Sequence, residues 1–172
     1  YSQIALASLI NFDKLLTQHK DSVFMVEGDR LFSLYQRKNY RPADTLSYLN
    51  TCITAYENDL VDGAVPFEYF VERTARIRKE IEKFNIQHGY ATGYLAINES
   101  ERLHQLGNEL MYKRKFNEAI QVFQLGIEKN PISPATYDSL GRAYRLIGKN
   151  DLALKYSRKS KEVLQNPAAF IR

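Results

Sequence analysis

Two stretches of this chain lie on each other at a fixed offset, and no other feature restricts its fold as much. Residues 100–131 read SERLHQLGNELMYKRKFNEAIQVFQLGIEKNP, and residues 134–167 read PATYDSLGRAYRLIGKNDLALKYSRKSKEVLQNP. Leu106-Gly107 falls on Leu140-Gly141, Leu110 on Tyr144 and Ala119 on Ala153, each pair 34 positions apart. A unit of that length cannot bury its apolar face alone, so copies must stack on one another or on a capping element.

Each copy carries two helical halves. Leu103, Leu106 and Leu110 recur at steps of three and four, which places them on one side of a helix. Gly107 and Ala119 stand where two helices would cross closely, since a longer side chain at either position would push the axes apart. The expectation is an all-α chain of antiparallel helical hairpins, with Gly107/Ala119 and Gly141/Ala153 as the close crossings.

Walked position by position, the pattern resembles the tetratricopeptide repeat. In the first copy Leu103, Leu106, Gly107, Leu110, Phe116, Ala119, Phe123, Gly126 and Pro131 fill the repeat's successive positions. In the second the matching residues are Tyr137, Leu140, Gly141, Tyr144, Asn150, Ala153, Ser157 and Ser160, with the proline displaced to Pro167. Asn150, Ser157 and Pro167 are departures from the family pattern, of the kind expected in a final repeat whose outer face meets solvent. The resemblance implies an α-α superhelix ending in two repeats and a concave face lined by the first helix of each. His104, Asn108, Met111 and Tyr112 would line that face in the first copy, and Asp138, Arg142 and Arg145 in the second. Asn108 takes the place where peptide-binding members often hold a carboxamide for the ligand backbone. His104 and Asp138 are not the lysine and asparagine of members that clamp a C-terminal carboxylate, so that ligand class is not implied.

The preceding residues divide by composition. In residues 1–60, Ile4, Leu6, Leu9, Ile10, Phe12, Leu15 and Leu16 form a helical stripe, residues 23–35 favour a second helix, and Pro42 starts or breaks an element. Ala43, Leu46, Leu49, Cys52, Ile53 and Tyr56 form another stripe. Gly28, Leu31, Tyr40, Ala43 and Leu46 echo the repeat in order but not in spacing, which suggests a helical hairpin or a degenerate copy. NDLVDGAVP, residues 58–66, is a linker. Phe67, Phe70, Ala75, Ile77, Ile81 and Phe84 predict a long amphipathic helix closed by Gly89, followed by a loop to about residue 97. This helix is the expected cover for the first repeat. Residues 98–167 hold the two repeats, with Ser100 or Asn98 as the expected helix cap.

Chemistry of a catalytic kind is hard to place in this chain. His19, His88 and His104 are far apart, and none has metal-ligand spacing. There is no Gly-x-Ser-x-Gly elbow and no glycine-rich phosphate loop. No catalytic residue, metal or cofactor is therefore expected. The single cysteine, Cys52, excludes an internal disulfide. Net charge is +4 with 20 acidic residues interspersed, which gives no strong nucleic-acid footprint. Arg73, Arg76, Arg78, Lys79 and Lys83 form a basic run, interleaved with Glu72, Glu80 and Glu82, that reads more simply as a solvated helix face than as a phosphate track. No apolar run is long enough to span a membrane. The opening YSQIALASLI has no basic leader, and a start on Tyr1 suggests a piece of a longer protein, which leaves cytoplasm and periplasm both open.

A second resemblance covers only the repeat-bearing end of the chain. Its wording, the Tyr137-Asp138-Ser139-Leu140-Gly141 phrase above all, is similar to the short repeat tail behind bacterial serine hydrolases. It implies a bacterial origin and an appendage that docks on, or dimerises, a preceding hydrolase domain. The expected function is thus a non-catalytic interaction module for a protein or peptide, with self-association through a hydrolase context as the first rival. A nucleic-acid-binding helical domain is the second.

Overall fold

The structure, a computed structural model, describes residues 42–89 and 93–170. The helices expected before Pro42, and the part of the degenerate repeat that begins at Gly28, lie outside the described residues. Those described form six α-helices and a closing 3-10 turn, with no strand among them: α1 Pro42–Asp62, α2 Phe67–His88, α3 Gly93–Tyr112, α4 Phe116–Lys129, α5 Pro134–Leu146, α6 Asn150–Gln165, then Pro167–Phe170.

Helix α1 opens on Pro42, whose missing N–H is no loss at a helix start. Leu49, Cys52, Ile53 and Tyr56 turn inward along it, as their spacing predicts, and so do Leu60 and Val61, because the helix continues to Asp62 through the first half of the stretch expected as a linker. It ends where Gly63 adopts φ 80, with Gly63 N–H on Leu60 O and Ala64 N–H on Asp59 O. That pair of bonds satisfies carbonyls the helix end would leave open. Helix α2 buries Phe70, Thr74, Ile77, Ile81 and Asn85. The inward residue is Thr74 and not the expected Ala75, which is exposed. A threonine is tolerated there because its hydroxyl donates back to Phe70 O at 2.8 Å.

The loop expected up to residue 97 is shorter than its composition suggests, because α3 is already helical from Gly93. Ser100 therefore caps nothing. It is buried within the helix, and its hydroxyl donates to Gly126 O on α4 at 3.1 Å.

Helices α3 and α4 pack together along their length, as do α5 and α6; α4 also packs on α5, and α3 on α5. The contacts pair rising numbers on one helix with falling numbers on the next: Ser100 meets Gly126 and Gly107 meets Phe123, while Pro134 meets Ser160 and Gly141 meets Ala153. Leu103, Leu106, Leu110, Ala119, Phe123, Leu140, Ala143, Tyr144 and Ala153 form one buried core with the inward side of α1 and α2.

Several details recur at the offset seen in the sequence. Lys115 N–H bonds Leu110 O and Lys149 N–H bonds Tyr144 O, at 2.8 and 2.9 Å. Arg114 and Gly148, each just before those lysines, both have positive φ. A side-chain hydroxyl ties the first helix to the closing turns of the second in both units, from opposite sides: Ser100 donates to Gly126 O, and Ser160 donates to Pro134 O.

The cover on the first unit differs from the sequence expectation. Helix α1, not the long helix α2, packs against α3. Arg102 of α3 grips Glu57 of α1 with two nitrogens, Nε to Oε1 at 2.6 Å and Nη2 to Oε2 at 2.8 Å. Helix α2 packs on α1 and reaches α3 through Arg78 to Glu99 at 3.2 Å. Charged pairs across helices leave no trace in apolar periodicity, so that choice of neighbour was not readable from it.

Candidate partner-binding face

With Leu103, Leu106 and Leu110 buried, the neighbouring register of α3 is left to His104 and Asn108. The two are one helical turn apart, and both turn toward α5. His104 Nε2 lies 3.0 Å from Ser139 Oγ and 3.3 Å from Asn108 Nδ2, and Ser139 Oγ lies 3.4 Å from Asn108 Oδ1. With the proton on Nδ1, Nε2 accepts from the Asn108 amide and the Ser139 hydroxyl. With the proton on Nε2, the ring donates to Ser139, which then donates to Asn108 Oδ1. Either tautomer makes two of the three contacts, so the neutral ring is well served.

Burial is the main reason the His104 pKa falls below its usual value; the Arg142 charge lowers it further, while Glu101 opposes both. The ring also sits 5.9 Å from that of Phe123. This polar triangle joins α3 to α5 at the surface above the core.

The remaining expected residues divide. Asp138, Arg142 and Arg145 are exposed along α5, and their side chains form no ion pair or hydrogen bond among the described residues. Tyr112 is 86% exposed at the end of α3. Met111 is half-buried and packs against the core, so it belongs partly to the scaffold. Two residues were missed. Ser139 is buried between Tyr137 and Leu140, and a small hydroxyl at an inward position was the available signal. Leu146 is 59% exposed and takes the place of Tyr112 in the second copy, so the offset itself would have found it.

The basic run of α2 is largely spoken for. Arg76 pairs with Glu72, Lys83 with Glu80, and Arg78 with Glu99, which Lys129 also approaches at 3.4 Å. Arg73 lies over the Tyr69 ring at 4.8 Å. Burial lowers the Arg78 pKa; Glu99 and then Glu57 oppose that, and Arg102 adds to it. Only Lys79 of the five is left with no such contact among the described residues.

Among the described residues no group of three or more His, Cys, Asp or Glu side chains is placed to hold a metal, and no helix is long and apolar enough to cross a membrane. No protein-family model matches the chain, and no curated protein matches it.

Proposed function

We propose that the chain is a non-catalytic interaction module in which antiparallel, tetratricopeptide-like hairpins hold a protein or peptide segment on the face shared by α3 and α5. The observation that carries this reading is the His104–Asn108–Ser139 triangle. It fixes the polar groups of two helices at one surface, beside exposed Arg142, Arg145, Tyr112 and Leu146. Fixed donors and acceptors next to exposed apolar side chains are what a segment needs to be held by its backbone and anchored by one or two side chains. The turn bonds and hydroxyl ties that repeat from one unit to the next support the hairpin assignment.

The test is selection of a random-peptide library on the full chain, followed by binding to the variant His104→Ala/Asn108→Ala/Arg142→Ala. Selected peptides should bind the native chain and lose at least about tenfold in affinity on the variant, a change of about 1.4 kcal/mol. Unchanged binding, with helical content intact, sinks this use of the face.

The docking or self-associating appendage remains the second reading. Leu154 and Leu164 on α6, 55% and 68% exposed, favour it because they leave apolar surface on the last helix. A concentration-dependent mass that collapses to one chain in Leu154→Lys/Leu164→Lys would turn the conclusion that way.

A further inference from the structure

A second groove runs between α1 and α3, away from the α3/α5 triangle. It is a cleft of about 480 Å³. Its floor is the Arg102–Glu57 pair, in which each charge is cancelled by the other. Its α3 wall is Glu101, Gln105 and Glu109, three residues at steps of four that share one helix face, and Asn58 faces them from α1. All four are exposed, and among the described residues none of the four side chains has a hydrogen bond or salt bridge. The lining charges are therefore three carboxylates against one guanidinium, in a chain whose net charge is +4.

We propose that this cleft binds an extended, basic peptide segment with two cationic side chains four residues apart. Glu101 and Glu109 are two helical repeats of four apart on α3, about 12 Å along the axis at 1.5 Å per residue. In an extended chain, residues four apart point to the same side about 13 Å from each other. The two carboxylates thus match the i and i+4 side chains of such a segment, while the amides of Gln105, midway between them, and of Asn58, on the opposite wall, can meet its backbone N–H and C=O groups. Two other classes fit less well: nucleic acid would bring phosphates to unpaired carboxylates, and an acidic segment would meet the same repulsion.

The inference rests on the chain being a partner-binding module but uses a different groove, so the two stand or fall apart. The probe is a capped, fluorescently labelled Lys-Thr-Ser-Thr-Lys peptide, read by anisotropy on the full chain. Controls are the same peptide with Glu for Lys and one with adjacent lysines. The spaced basic peptide should bind best, weaken with added salt, and lose about tenfold in affinity on Glu101→Gln/Glu109→Gln. It should bind His104→Ala/Asn108→Ala/Arg142→Ala as it binds the native chain. Loss on that triple variant, with the glutamine variant unaffected, overturns the cleft and favours the α3/α5 face. Equal binding of the three peptides, preference for an RNA oligomer, or no effect of the glutamines also overturns it. Peptides selected from the library, read on the same triple variant, test the α3/α5 face separately.

Discussion

The α3/α4 and α5/α6 units close the same kind of helix crossing with different chemistry. In the first, an added Cβ on Gly107 would lie 2.3 Å from Phe123 Cε1, so the notch is filled by an aromatic ring. In the second, Ser157 stands where Phe123 would be, and a Cβ on Gly141 would meet Ser157 Oγ and Ala153 O at 3.1 Å. The aromatic of the second unit is carried one residue earlier, by Tyr156, whose ring stacks on Tyr144 at 5.4 Å and on Tyr137 at 6.4 Å. The glycine is kept while the filler changes. What the period preserves is the approach of two helices, and not a set of side-chain contacts.

The sharpest way to break that comparison is to add the same methyl to both glycines. Phe123 is fully buried and its ring has nowhere to swing, so Gly107→Ala should destabilise the fold by about 2–3 kcal/mol through overpacking. At Gly141 a shift of a few tenths of an ångström suffices, and the better helix propensity of alanine offsets part of it, so Gly141→Ala should cost about 1 kcal/mol or less. Urea melts of the two variants measure the difference. Adding Phe123→Leu to Gly107→Ala should recover about 1–2 kcal/mol of coupling. Equal costs at the two glycines would mean the notches are not distinct.

Next in size is the contrast in how the units are capped. The first is held to α1 by the Arg102–Glu57 pair, whose side chains are 28% and 12% exposed. The second is closed by the Pro167–Phe170 turn, with Phe170 edge-on to Tyr137 at 6.3 Å. Arg102→Ala strands a mostly buried carboxylate and should cost about 1–2 kcal/mol, below the figure for a fully buried pair because solvent screens part of it. Phe170→Ala should cost about 0.5–1 kcal/mol, since the ring is only half-buried. Thermal melts that rank the two the other way would move the weight of the capping to the C-terminal turn.

How far the sequence carried this picture depends on which kind of force set each feature. The leucine stripe of α3 and the crossings at Gly107 and Gly141 were legible because apolar periodicity and the absence of a side chain are written in single letters. Ser100 was misread as a cap because a serine before an apolar run looks the same whether it ends a helix or lies inside a longer one. Its bond to Gly126, on the following helix, is a tertiary fact. The α1 cover was hidden for a related reason: Glu57 and Arg102 are distant in the chain, and many other charges were equally available to each. At the candidate face, the register placed His104 and Asn108 on one side of α3. Ser139 and Leu146 escaped because a buried serine and an exposed leucine both run against the burial expected of their types.

A smaller effect distinguishes the two turns. Arg114 has φ 60 and Gly148 has φ 77 at equivalent places, so the first turn holds a side chain in the left-handed region where the second has none. Arg114→Gly should raise stability by about 0.5–1 kcal/mol, and Gly148→Ala should lower it by about 1 kcal/mol, with no clash involved because nothing lies within 4 Å of an added Cβ at Gly148. Melts in which both changes move in the same direction would show that the two turns are not equivalent.

The smallest effect concerns the residues that the offset pairs across the seam, His104 in the first unit and Asp138 in the second. Asp138 is exposed, whereas His104 is partly buried in the triangle, facing Glu101 and Arg142 with its pKa held below the ordinary 6.5. A histidine whose folded-state pKa is depressed binds its proton more readily when unfolded. Its stabilising contribution is then fully present above the unfolded pKa and is lost as pH falls through about 6.5 toward the folded value. Protonation also places an N–H on Nε2 opposite the Asn108 amide, so the triangle must rearrange as the contribution is lost. The difference in unfolding free energy between the native chain and His104→Gln should therefore shrink as pH falls through that window. Subtracting one profile from the other removes the shared titration of the other two histidines. A difference that stays flat would mean that the His104 ring is solvated and the seam between the units is open to water, and one that grows toward acid would mean that the Glu101 carboxylate outweighs burial.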